Sequence, residues 1–252
     1  MPVIGTDDHV TAARLASEAG DMLVELRACL AGEGVDGRAL GAEGDRAAHE
    51  LLMRRLAELR PHDAVLSEEG TNDPARLAAE RVWIVDPLDG TREFGEVPRT
   101  DWAVHVALVV GGAAGAGAVA LPARGLTLAT PTPPPPPGAW TGPVRVVVSR
   151  SRPPAEATLI AEALGGELVT LGSAGAKAMA VVLGEAEVYA HSGGQHEWDS
   201  AAPVAVARAA GLHASRLDGT PLVYNRPDPY LPDLLICRPE LAERVIAAAA
   251  GG

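Results

Sequence analysis

An α/β protein, with an α+β first half and an alternating α/β second half, is the fold class this sequence predicts. Three observations carry it: two opening runs with helical apolar spacing, glycine-split β-rich runs after them, and strand–helix alternation beyond an unbroken proline run. The 252 residues, 47% hydrophobic, suffice for a sizeable core.

The spacing of Val10, Leu15, Met22, Leu23 and Leu26 predicts a first helix over about Asp8 to Leu30. Leu51, Leu52, Leu56 and Leu59 predict a second over about Asp45 to Leu59, stopped by Pro61. Short strands are expected at Ala64 to Leu66 and Arg81 to Val85, then β-rich runs at Trp102 to Val110 and Ala116 to Ala129. Pro131 and the run Pro133 to Pro137 cannot donate ladder hydrogen bonds, so they read as a stiff exposed connector dividing residues 1–137 from 138–252. Strands follow at Val144 to Val148, Glu167 to Leu171 and Glu187 to His191, with helices at Ala155 to Leu164, Ala176 to Leu183 and Asp199 to Ala210 between and after them. Strands near Leu212 and at Asp233 to Cys237 and a helix from Glu240 complete the pattern.

A formal net charge of −12 offers no basic face to a nucleic-acid polymer or an anionic membrane. An anionic substrate would therefore need bound cations. Two cysteines are too few for a disulfide framework, and the N-terminal run lacks the order of an export signal; both point to a reduced, cytoplasmic protein. Val106 to Ala123 carries no charge, but its glycines split it into a buried hairpin rather than a membrane span.

The most informative segment runs from Val82 to Phe94, an apolar strand leading into a turn with two carboxylates. Pro87 biases Asp86 toward extended geometry, so its carboxylate projects from the strand end. Asp89 points into the same space, and Gly90 lets backbone approach a ligand. Thr91 and its successors open a helix whose free N–H groups favour phosphate. Two hard carboxylates beside an anion site suit magnesium and phosphate together; the alternative is an Asp-Pro turn with Asp89 as a helix cap. Glu68 and Glu69 stand at another strand end, where adjacent acids can simply be solvated. Asp199 and Asp45 each open a helix, where a capping role is the alternative. The weight lies in the combination: acids gather at element ends without cysteine or histidine patterns, and oxygen-only donors select magnesium or manganese. Lys177 is the only lysine in an arginine-rich chain, which marks a functional ammonium unless it is one solvated helix residue. His105 and His191 read as core-edge residues and His196 as a pocket wall, and no Ser/His/Asp set is present.

Asp86-Pro87-Leu88-Asp89-Gly90-Thr91, with Glu68-Glu69 upstream and Trp198-Asp199-Ser200-Ala201-Ala202 downstream, resembles the inositol monophosphatase superfamily of lithium-sensitive phosphatases over nearly the full length. Arg92-Glu93-Phe94, and Lys177 after Gly172-Ser173, look more like its CysQ-type 3'-phosphoadenosine 5'-phosphate phosphatases. The tracts Gly172 to Ala180, His213 to Gly219 and Asn225 to Leu235 look closest to the actinobacterial members. The resemblance implies a layered αβαβα sandwich in which Glu68, Asp86, Asp89, Asp199 and the Leu88 carbonyl hold two to three magnesium ions. Manganese would be an alternative and lithium an inhibitor. Glu69 would act through an outer-shell water, Asp45 and Thr91 would orient and activate the attacking water beside Glu68, and the Gly90 and Thr91 amides would hold phosphate oxygens. Ser173 and Lys177 match nucleotide-contacting positions, and Glu197 would stand at the pocket rim. The tract Gly172 to Lys177 is a residue longer than in some bacterial relatives.

The implied activity is hydrolysis of 3'-phosphoadenosine 5'-phosphate to AMP and phosphate, a step of sulfate assimilation, in a monomer or a homodimer. The rivals are inositol monophosphatase or fructose 1,6-bisphosphatase activity and, from another class, a non-catalytic metal- or nucleotide-binding regulator. Against the last, Glu68, Asp86, Asp89, Thr91 and Asp199 are all retained.

Overall fold

The computed structural model describes residues 3–251. Helix α1 spans Thr6–Gly32, and its buried face is made of small residues and leucines: Ala12, Leu15, Ala16, Ala19 and Leu23. Val10, expected on that face, is 49% exposed, because it lies two residues, more than half a turn, from Ala12. Helix α2 spans Gly37–Leu59 and starts two turns before the expected Asp45. Its true cap is Asp36, whose carboxylate accepts from Arg38 N at 3.0 Å and Ala39 N at 3.2 Å. Gly37, Gly41 and Gly44 dilute the helical signal over those turns.

The first sheet holds β1 (Ala64–Ser67), β2 (Arg81–Asp89), β3 (Ala103–Val110), β4 (Ala113–Leu121) and β5 (Leu126–Ala129) in chain order. Strand β1 is parallel to β2, and the other pairs are antiparallel. Strand β2 continues past the expected Val85, and the expected run Ala116 to Ala129 breaks at Pro122, which opens a 3-10 turn between β4 and β5. The uncharged stretch forms the β3–β4 hairpin around Gly111 and Gly112. Among the described residues no helix is long and apolar enough to cross a membrane.

Residues 133–144 carry neither helix nor strand. Arg238 ties the end of the proline run to the body through Pro137 O and Gly138 O, at 3.2 and 2.9 Å. The second sheet contains β6 (Arg145–Ser149), β7 (Glu167–Leu171), β8 (Val188–His196), β9 (His213–Ser215) and β10 (Tyr230–Cys237), in the order β7-β6-β8-β10-β9. The remaining helices are α3 (Thr91–Gly95), α4 (Ala155–Leu164), α5 (Ala174–Val182), α6 (Glu197–Ala209) and α7 (Ala242–Ala250).

Strand alternation turns this list into layers. In β2, Trp83 and Val85 face the core under α1 and α2, while Val82 and Ile84 face a central core shared with α5 and α6. Val146 and Val148 of β6 join Ile160 of α4 and Val245 of α7 in a third core. The layers therefore run α1/α2, first sheet, α5/α6, second sheet, α4/α7, the αβαβα order that the resemblance implies.

Asp8 anchors α1 to the first sheet. Its carboxylate accepts from Arg81 Nη2 at 2.8 Å and Arg60 Nε at 3.3 Å, while Asp63 accepts from Arg81 Nε at 2.8 Å and Trp83 Nε1 at 2.9 Å. Burial works against the Asp8 charge, but the Arg81 hydrogen bond and the Gly5 amide outweigh it and hold the carboxyl below its usual value of 3.8. A depressed folded pKa stabilises fully above the unfolded pKa, and the contribution disappears as pH falls through the folded one. Asp8→Asn should therefore lose about 1–3 kcal/mol at pH 7. Thermal melts should show the gap to wild type closing below about pH 4.

Candidate active site

The centre of the site is built where β2 ends. The pairing of β2 with β3 slips between Asp86 and Asp89, across Pro87, which has no N–H to donate. Leu88 N then turns back to Asp86 Oδ1 at 3.1 Å, and both carboxylates leave the strand on the same side. Asp199 arrives from the first turn of α6. It is not the cap of that helix, because His196 is, but Asp199 Oδ2 accepts from His196 N at 2.7 Å. Asp86, Asp89 and Asp199 each bring a carboxylate oxygen within 4.8 Å of the other two.

Asp89 is held from the other half of the chain. Its Oδ1 accepts from Ala174 N at 3.1 Å and its Oδ2 from Gly175 N at 2.5 Å, so the start of α5 points at the carboxylate. His105 Nε2 lies 3.2 Å from Asp89 Oδ2, and His105 Nδ1 donates to Trp198 O at 3.0 Å. Burial opposes the charge of Asp89, yet His105, Lys177 and the Gly175 amide bring its pKa below the ordinary value. Asp199 is pushed up to about 7 by burial and then by the charge of Asp89. Asp86 rises well above the ordinary range through burial and the charges of Glu68 and Asp89. Glu68 is exposed as a residue, but its carboxyl turns toward the cluster, and desolvation followed by the charge of Asp199 lifts it to about 7. Crowded carboxylates that resist ionising together, with no sulfur among them, fit hard divalent cations.

Beside the cluster, the Thr91 hydroxyl donates to Asp45 Oδ1 at 3.0 Å and also lies 3.3 Å from Leu88 O. Asp45 is not the start of its helix, as expected from sequence; it stands two turns inside α2. It reaches Thr91 because α2 approaches the loop over glycine: a Cβ at Gly41 would sit 2.7 Å from Thr91 Cγ2, and one at Gly44 would sit 2.8 Å from Leu88 Cδ2. Burial, opposed by the Thr91 bond and supported by the charge of Glu69, raises Asp45 to about 6. Glu69 itself is exposed. Gly90 has φ 90°, a left-handed conformation that frees the amides opening α3, and a Cβ there would meet Ser173 Cβ at 2.9 Å.

A cavity of about 790 Å³ leads from Asp89, Gly90 and Asp199 past Ser173 and Lys177 to Arg152 and His191. Ser173 caps α5 by accepting from Ala176 N at 3.0 Å. Lys177 is 3% exposed rather than solvated, with Nζ donating to Gly172 O and Ser173 O at 2.5 and 2.7 Å. Glu197 does not stand at the rim. It is buried, its two oxygens accepting from Asn225 N and Arg226 N at 2.7 and 2.8 Å, and it fixes that turn beside Arg76. His105 lies in the interior against Asp89 instead of at the core edge, His191 lines the cavity, and His196 is spent stacking on Trp198 at 4.7 Å. Sequence reasoning missed Glu93, Arg152 and Gln195, which also line the cavity. Glu93 follows the Gly90-Thr91-Arg92 tract directly, which was a readable signal; Arg152 and Gln195 sit in segments without pattern.

Layering and cluster together define a carboxylate-built, metal-dependent phosphatase. The chain belongs to the inositol monophosphatase family, whose model matches residues 8–132 and 143–251. It is 53% identical over 249 residues to the 3'-phosphoadenosine 5'-phosphate phosphatase of Mycobacterium leprae, covering 93% of this chain and 90% of that protein. It is 34% identical over 206 residues to the 3'(2'),5'-bisphosphate nucleotidase CysQ of Escherichia coli K12, with 74% of this chain and 80% of that protein covered. Among solved structures, CysQ from Bacteroides thetaiotaomicron superposes with a TM-score of 0.75 at 27% identity, covering 92% of this chain and 97% of that one.

Asp89→Asn keeps the shape but removes the charge that the Ala174 and Gly175 amides address. It should remain folded by circular dichroism, bind magnesium at least tenfold more weakly by calorimetry, and lose most phosphatase activity.

Proposed function

We propose that this chain removes the 3'-phosphate of 3'-phosphoadenosine 5'-phosphate, releasing AMP and phosphate. The observation that carries the reading is the cavity: besides the carboxylate cluster it is lined by Arg152, which is exposed and has no ion-pair partner among the described residues, free to meet a second phosphate. The names of the relatives above point to the same substrate.

In this reading Asp86, Asp89 and Asp199, with Glu68 and the Leu88 carbonyl, hold two to three divalent cations, magnesium foremost, and Glu69 supports them through water. When bound, these ions supply positive charge to the phosphoryl oxygens and acidify the attacking water. The chain itself positions and moves protons. The Thr91 hydroxyl donates a hydrogen bond to Asp45, so that when its oxygen takes a proton from the attacking water its own proton passes to the Asp45 carboxylate, leaving Thr91 neutral and Asp45 protonated. The Gly90 and Thr91 amides orient phosphate oxygens, while Ser173 and Lys177 border the nucleotide. The reading puts the enzyme in the cytoplasm, in sulfate assimilation, is compatible with a homodimer and implies inhibition by lithium.

Phosphate release should be fastest from 3'-phosphoadenosine 5'-phosphate, slower from inositol 1-phosphate and fructose 1,6-bisphosphate, and abolished by chelator. A chelator-sensitive preference for inositol 1-phosphate would overturn the substrate and keep the chemistry. Asp45→Asn should lower kcat by about 10²–10⁴-fold with little change in KM, since it removes a proton acceptor and leaves the binding groups in place.

A further inference from the structure

The turn that opens α5 is held at its N–H groups and at its carbonyls by different partners. The N–H groups address acidic residues of the first half of the chain: Gly172 N donates to Asp101 Oδ2 at 2.7 Å, Ser173 N to Asp101 O at 3.2 Å, Ala174 N to Asp89 Oδ1 at 3.1 Å and Gly175 N to Asp89 Oδ2 at 2.5 Å. The carbonyls of Gly172 and Ser173 both accept from the Lys177 ammonium, at 2.5 and 2.7 Å.

The Ser173 carbonyl and the Ala174 N–H belong to one peptide unit. In a trans peptide these groups point in opposite directions, and the only cis peptide among the described residues is Val97-Pro98. The unit therefore stands between an ammonium at its oxygen and the Asp89 carboxylate at its nitrogen. Hydrogen bonds chained through one amide polarise one another, so the ammonium strengthens the bond from Ala174 to Asp89. Lys177 borders the cavity, yet it is 3% exposed, and its Nζ also lies 5.5 Å from the centre of the Tyr189 ring. Burial lowers its pKa, and the charges of Asp89 and Asp199 act against that loss. An ammonium presents three donors from a single point and can serve two neighbouring carbonyls at once, which the planar fork of an arginine does less readily. This gives the chain's only lysine a physical reason to be one.

We infer that Lys177 is a positioning residue: its ammonium fixes the Gly172–Ala174 turn and, through the Ser173–Ala174 amide, holds Asp89 oriented for a divalent cation. The inference rests on Asp89 being a cation ligand, as in the reading above, and gives Lys177 a task other than contact with the nucleotide.

The test measures magnesium binding to the nucleotide-free protein by calorimetry and, at saturating magnesium, the KM for adenosine 3',5'-bisphosphate. Lys177→Met, of similar length and without donors, should bind magnesium about 10–100-fold more weakly and leave that KM unchanged. In the metal-free protein its Ala174 and Gly175 amides should exchange with solvent about tenfold faster or more. Lys177→Gln, which keeps N–H donors without the charge, should fall between wild type and the methionine variant, and it carries the comparison if the latter does not fold. Wild-type magnesium affinity in these variants with a raised KM overturns the inference by making Lys177 a nucleotide contact, and leaves the phosphatase reading intact. A lowered melting temperature with magnesium affinity unchanged overturns it too, by giving the side chain a structural role only. Wild type that binds no magnesium removes the metal reading and this inference with it.

Discussion

Electrostatic repulsion among Asp86, Asp89, Asp199 and Glu68 is the constraint on which this structure turns. Gathering carboxylates where burial already penalises charge raises Asp199 and Glu68 to about 7 and Asp86 well above its ordinary value. Asp89 alone is brought down, because the amides that open α5, together with His105 and Lys177, address it. One carboxylate is thus held charged, while its neighbours resist ionising beside it. The α5 amides and Lys177 come from beyond the proline run, so their hold on Asp89 ties the two halves of the chain together at the cluster.

The same constraint explains where the glycines lie. Asp45 can serve the cluster only from a rigid helix that comes within contact of the Leu88–Thr91 loop, and a helix carrying side chains at positions 41 and 44 could not come so close. The helix propensity lost at those positions is offset by burial of Leu40, Ala48, Leu52 and Leu56 against the first sheet.

Much of this was legible in the sequence because elements with strong periodicity have one reading. Strand Glu167–Leu171 and helix Ala155–Leu164 fall where the pattern put them. The glycine-rich start of α2 did not, since close approach to Thr91 is a tertiary demand that overrides local propensity. The cluster was readable from Asp86-Pro87-Leu88-Asp89, where proline and carboxylates at fixed spacing have a local mechanical meaning. His105 was not, because its role depends on a strand neighbour of Asp86 and on the first turn of α6, which no local window contains. Glu197 misled for the opposite reason: it adjoins the Trp198-Asp199 motif in sequence but points to the 225–226 turn.

The cavity wall completes the division of labour. The clustered carboxylates stand on strand and helix ends, whose positions the cores fix, whereas His191 and Gln195 stand on either side of a glycine kink that contributes little to those cores. A kinked segment can change without disturbing the cluster, so selection of the leaving group is physically separable from cleavage of the phosphate ester. The acidic charge is concentrated where cations would neutralise it, while Arg152, exposed on the wall of the same cavity, forms no ion pair among the described residues.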